Sequence, residues 1–127
     1  LARGSFAHLA IADPAVAPYG TAAVEVLQRR GVYVAVAPRL VKGASIGQAY
    51  TFVSTGAADL GLVALSQVID TPGGSRWIPP QTDYSPIEQD AVVTAAGRDN
   101  PAAARFLGFL QGPAARTIIR RYGYEIK

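Results

Sequence analysis

Residues 9–20, Leu-Ala-Ile-Ala-Asp-Pro-Ala-Val-Ala-Pro-Tyr-Gly, constrain the fold more than any other stretch. An apolar, β-prone run through Leu9 and Ile11 ends at Asp13-Pro14, and a second proline, Pro18, is placed to open a helix. Proline suits the first helical position because that N–H has no intrahelical acceptor and its φ is already helical. Strand, loop and helix N-terminus in this order turn backbone N–H groups outward and favour an anion beyond them. The helix is predicted to run to about Arg30 and to close on Gly31.

The rest of the chain repeats this alternation. A strand is expected over residues 7–12. Val32 to Ala37 is ambiguous, since its β-branched residues favour a strand. Leu40-Val41 reads as a short strand. Ser45 is a good N-cap for a helix over 46–55, with Ile46, Ala49, Tyr50 and Val53 on one stripe and Gly56 at its end. Asp59 to Leu65 reads as a buried-type strand. Residues 70–86, rich in Pro, Gly, Ser, Thr and Asp, read as a loop around a short strand at Trp77-Ile78. Gln89 to Ala95 reads as another strand. Asn100-Pro101 is a cap followed by a first-position proline, opening a helix with Ala103, Phe106, Leu107 and Leu110 on one face. Gly112-Pro113 stops it and starts the next, whose stripe is Ala115, Ile118, Ile119 and Tyr122, closed by Gly123. Alternating βα units imply an α/β layered fold with a mostly parallel sheet.

Composition narrows the function. Half of the 127 residues are hydrophobic and 17% are charged, a globular balance rather than a disordered one. The net charge of +3 is mild. Its two basic doublets, Arg29-Arg30 and Arg120-Arg121, precede glycines at predicted helix ends, where cations complement the helix dipole. That placement argues against a nucleic-acid footprint. No cysteine is present, so disulfides and thiol chemistry are excluded. No signal peptide and no apolar run long enough to span a membrane are visible. The carboxylates show no paired spacing for acid–base work, and no G-x-S-x-G, P-loop or dinucleotide fingerprint occurs, so an enzyme is not expected. His8 stands alone, which argues against a metal site. Asp13 is expected to tie its loop, Asp59 to fix the turn before a strand, Gly61 to allow close packing, and Ser66 to cap a helix.

The chain resembles the periplasmic molybdate-binding proteins of ABC transporters. The resemblance rests on Ile11-Ala12-Asp13-Pro14, Ala17-Pro18-Tyr19-Gly20, Val63-Ala64-Leu65-Ser66-Gln67, Pro86-Ile87-x-Gln89, and the closing Arg120-Arg121-Tyr122-Gly123. It implies a type II periplasmic-binding-protein-like fold of two lobes. Residues 1–86 would form the second lobe, and residues 87–127 the return strand and C-terminal helices of the first. It implies a short helical turn at Val32–Ala37. The N-terminal half of the first lobe, with its Ser or Thr hydroxyl ligands, would lie outside this chain, as would a signal peptide. The tail helices would then lack their usual sheet, so association with another copy or with the missing N-terminal part is expected.

The implied function is binding of molybdate or tungstate in the periplasm and delivery to a membrane permease, with no cofactor and no nucleic acid. A ligand-sensing domain of a transcription regulator is the alternative with the same architecture. Molybdate is a doubly charged tetrahedral oxyanion, so its site needs donors and no acceptors. Helix N-termini supply fixed donors and a favourable dipole. The resemblance assigns backbone donors to Tyr19 and Ile46. Where some members carry a ligating tyrosine this chain has Ala64, and the Tyr19 hydroxyl would stand in. Hinges are implied at 84–90 and before Phe6.

Overall fold

The computed structural model describes residues 4–126. Two compact units follow one another: the first ends at Ile87 and the second begins at Glu88.

The first unit is built on β1 (Leu9–Ala12), whose four residues are all buried. It pairs in parallel with β2 (Leu40–Gly43) on one side and with β3 (Leu60–Gly61) on the other, giving the order β2-β1-β3. Between β1 and β2 run α1 (Pro18–Arg29) and a single helical turn, α2 (Tyr33–Val36), continued by a 3₁₀ turn at Ala37–Arg39. The Val32–Ala37 stretch is therefore helical despite its β-branched residues. Val36 explains the choice: it is buried with Leu9 and Leu27 in the core cluster. Between β2 and β3 runs α3 (Ile46–Ser54). The chain moves from β1 to one side and then crosses back, and such crossovers are right-handed. The two long helices therefore cover opposite faces of β1, which is why none of its residues reaches solvent.

Two expected turns have the geometry their glycines allow. Gly31 and Gly56, at φ 67° and 76°, close α1 and α3 in the left-handed conformation that glycine adopts without strain. Asp59 fixes its turn by accepting the N–H groups of Ala7 and His8 at 2.8 and 2.9 Å. Those two bonds hold its carboxyl below the usual carboxylate range, His8 contributing most.

Three expected strands are corrected. The Asp59–Leu65 strand shrinks to Leu60–Gly61, is half-exposed, and gives way at Leu65 to the short helix α4 (Leu65–Val68). Among the described residues its one ladder partner is β1, and that ladder spans two residue pairs. Trp77-Ile78 is not a strand. No described strand pairs with it, and Trp77 instead lies under the Arg30 guanidinium, 5.2 Å from its ring centre. Arg30 also pairs with the buried Asp83 at 2.6 Å, so it anchors this loop as well as ending α1. Ser66 is not an N-cap; it lies inside α4, where Ala64 is the N-cap residue and Gln67 Oε1 accepts the Ala64 N–H at 3.1 Å.

In the second unit, Gln89–Ala95 is also not a strand. Residues 88–94 are irregular, with a 3₁₀ turn at Ala95–Gly97. Two helices follow, α5 (Pro101–Gln111) and α6 (Pro113–Arg121). Asn100 caps α5 by accepting the Ala102 N–H at 2.9 Å. Ala115 is buried, but Phe106, Ile118 and Tyr122 remain exposed on the predicted apolar faces, and Phe109, outside the predicted stripe, is exposed too.

Candidate oxyanion site at the strand ends

The loops leaving β1 and β2 carry the predicted site residues. Ligands of open α/β sheets sit beyond the carboxyl ends of the strands. Here two such ends are neighbours: Ala12 is in register with Gly43, and the Asp13 N–H donates to the Gly43 carbonyl at 2.7 Å. From these ends rise the starts of α1, with Tyr19 as its second residue, and of α3, with Ile46 as its first. The structure thus brings both elements to one edge of the sheet. The Tyr19 and Ile46 side chains are half-buried.

Glycines set how closely the helices approach. A Cβ on Gly20 would stand 2.3 Å from the Ala12 carbonyl oxygen and 2.6 Å from the Pro14 nitrogen. A Cβ on Gly43 would stand 2.8 Å from the Ala49 nitrogen. Both contacts are to backbone, which has no room to yield. The first turn of each helix therefore sits directly on the strand beside it. Gly61 serves close packing in the same way, since a Cβ there would meet Val53 at 2.5 Å.

The two starts are finished differently. At α1 the N-cap Ala17 offers no side-chain acceptor. The loop is held by Asp13, whose Oδ1 accepts the Ala15 N–H at 3.1 Å and whose carbonyl accepts Val16 and Ala17. Its carboxylate is thus engaged by its own loop. Thr21 Oγ1 adds a bond to the Pro14 carbonyl at 3.3 Å. At α3, Ser45 Oγ accepts the Gln48 N–H at 3.1 Å, and Gln48 Oε1 accepts the Ala44 N–H at 2.6 Å. This is a capping box displaced by one residue. The described residues supply no acceptor for the N–H groups of Ile46 and Gly47. Neither helix has an acidic residue in its first turn. Open N–H donors at the start of α3, beside a second helix start that likewise carries no first-turn carboxylate, suit a fully ionised oxyanion.

Gln48 and Gly43 were not singled out from sequence. The Ser45-x-x-Gln48 spacing was a legible signal for the first. Nothing local marks Gly43, because its constraint comes from α3 folding back onto it. Gln67 is a third brace: besides accepting from Ala64, its Nε2 lies 3.5 Å from the Ile46 carbonyl oxygen.

This architecture has close counterparts. A family model described as bacterial extracellular solute-binding protein matches residues 1–125. The chain is 56% identical over 117 residues to the molybdate-binding protein ModA of Rhodobacter capsulatus, covering 92% of this chain and 46% of that protein. It is 50% identical over 130 residues to ModA of Azotobacter vinelandii, covering 100% and 52%. The solved periplasmic molybdate-binding protein of Azotobacter vinelandii superposes with a TM-score of 0.91 at 39% identity, over 99% of this chain and 57% of that one. The chain therefore spans about half the length of the relatives it matches.

Proposed function

The chain belongs to the family of bacterial extracellular solute-binding proteins, with their α/β fold and parallel sheet, and on that premise we propose that it supplies one half of a molybdate receptor. The observation that carries the reading is the pair of helix starts at adjacent strand ends, with no carboxylate in either first turn. The matched relatives are named as binding proteins, and this chain acts likewise, as a receptor and not an enzyme.

In this reading the first turns of α1 and α3 present backbone donors to the oxyanion through Tyr19 and Ile46. The Tyr19 hydroxyl adds a donor that Ala64 lacks. No step requires a mobile countercharge, because the helix dipoles are fixed before the anion arrives. The loaded receptor hands its anion, molybdate or tungstate, to an ABC permease at the periplasmic face of the membrane. Residues 1–86 act as the second lobe, and residues 87–127 belong to the first. The apolar side chains left exposed on α5 and α6 are covered by association, with another copy or with the part of the relatives' length that this chain does not span. A monodisperse monomer of this chain at high concentration in a sizing experiment would count against that association.

The deciding experiment is a calorimetric titration of the full natural protein with molybdate, with sulfate as competitor. Tight binding that sulfate does not displace is expected, and absence of heat would overturn the reading. Tyr19→Pro is expected to weaken molybdate binding at least tenfold, since it removes an N–H and disturbs the helix start. Unchanged affinity would sink the assignment of Tyr19.

A further inference from the structure

Taking the α3 start as an oxyanion site, we propose that Gly47 is a specificity-determining position whose bare Cα keeps room for a large tetrahedral anion. Gly20, Gly43 and Gly61 are each required by a neighbour that a Cβ would strike. Gly47 is different. A Cβ there would meet only Ser45 Oγ, at 3.6 Å, which is ordinary contact, and its φ is not positive. The fold does not need glycine at this place, and glycine is a poor helix former.

Its position supplies the reason. Gly47 is the second residue of α3. Cα–Cβ bonds in a helix tilt toward its N-terminus, so any side chain at 47 leans over the helix end. It would stand across the N–H groups of Ile46 and Gly47, which have no acceptor among the described residues. Glycine is the residue that lets backbone approach a ligand closely. Behind the site, Gln67 Nε2 lies near the Ile46 carbonyl. That carbonyl and the Gly47 N–H belong to one planar trans peptide and point in opposite directions. A donor on the carbonyl side therefore aims the Gly47 N–H outward and polarises it.

The second unit holds an internal control. Gly108, inside α5, has nothing within 4 Å of its would-be Cβ, and it lies on no strand end. The test uses Gly47→Ala, Gly47→Val and Gly108→Ala in the full natural protein, with thermal melts in the absence of anion and calorimetry with molybdate. Gly47→Ala and Gly108→Ala are expected to hold or raise Tm slightly. Gly47→Ala should weaken molybdate binding at least tenfold and Gly47→Val further, while Gly108→Ala stays within twofold. Gly47→Ala binding within twofold of the natural protein overturns the proposal, as does a fall in its Tm, which would reveal a packing role instead. If the natural protein itself gives no heat with molybdate, the oxyanion reading fails first, and that outcome is distinct from a failure of Gly47 alone.

Discussion

The two units contain similar apolar patterns with opposite outcomes. In the first, Leu9, Leu27 and Val36 close around a parallel sheet and lose their contact with water. In the second, Val92 stays 82% exposed in a stretch that reads as a strand, and Phe106 stays 60% exposed on a helix stripe. The difference is the ladder. β1 finds partners on both sides within its own unit, whereas among the described residues no strand pairs with Gln89–Ala95. A β-prone run becomes a strand only where another backbone takes its hydrogen bonds. A helix, which satisfies its own backbone, forms in either setting, and so α5 and α6 appear with their caps in place.

Core truncation should separate the units most widely. Leu27→Ala, at a fully buried site, is expected to cost about 2–5 kcal/mol. Phe106→Ala should change stability by under about 0.5 kcal/mol. Urea unfolding of both variants checks this, and equal losses would erase the contrast. Next in size is Gly20→Ala. Its new methyl meets the Ala12 carbonyl, and overpacking of this kind costs about 1–3 kcal/mol.

The caps offer a sharper comparison because their chemistry is the same in both units. Ser45→Ala and Asn100→Ala each remove one side-chain acceptor from a helix start and should each cost about 1 kcal/mol of helix stability. A silent Asn100→Ala in global unfolding would show that the second unit melts separately from the first. Ser45→Ala should also weaken anion binding, and Asn100→Ala should not.

The smallest expected effect is a pH dependence confined to the first unit. The Asp59 carboxyl is held below its ordinary value of 3.8 by the N–H groups of His8 and Ala7. A depressed folded value stabilises above the unfolded value and is lost as pH falls through the folded one. The stability gap between the natural protein and Asp59→Asn should therefore be constant above about pH 5 and shrink as pH drops below 4. A gap that widens on acidification would reverse the assignment.

Much of the site was legible from local chemistry. Pro18, Ser45, Asn100 and Pro113 mark helix starts because first-turn N–H groups need an acceptor or no hydrogen at all. Gly31, Gly56 and Gly123 mark ends because only glycine turns left-handed without strain. Asp13 could be assigned to its loop because its carboxylate reaches the Ala15 N–H two residues on, whereas the Asp59 carboxylate holds its turn through the distant N–H groups of Ala7 and His8. The misread segments, Asp59–Leu65, Trp77-Ile78 and Gln89–Ala95, are those whose state depends on a distant partner.

What the sequence determined by itself, then, closes within about four residues: the starts and ends of α1, α3, α5 and α6. Only the tertiary structure decided which β-prone runs entered the sheet, and that Gly20 and Gly43 admit a helix turn onto a strand. It also decided that Arg30 reaches across 53 residues to Asp83. Those outcomes depend on which backbone and which side chain arrive from elsewhere in the chain, and no local pattern carries that information.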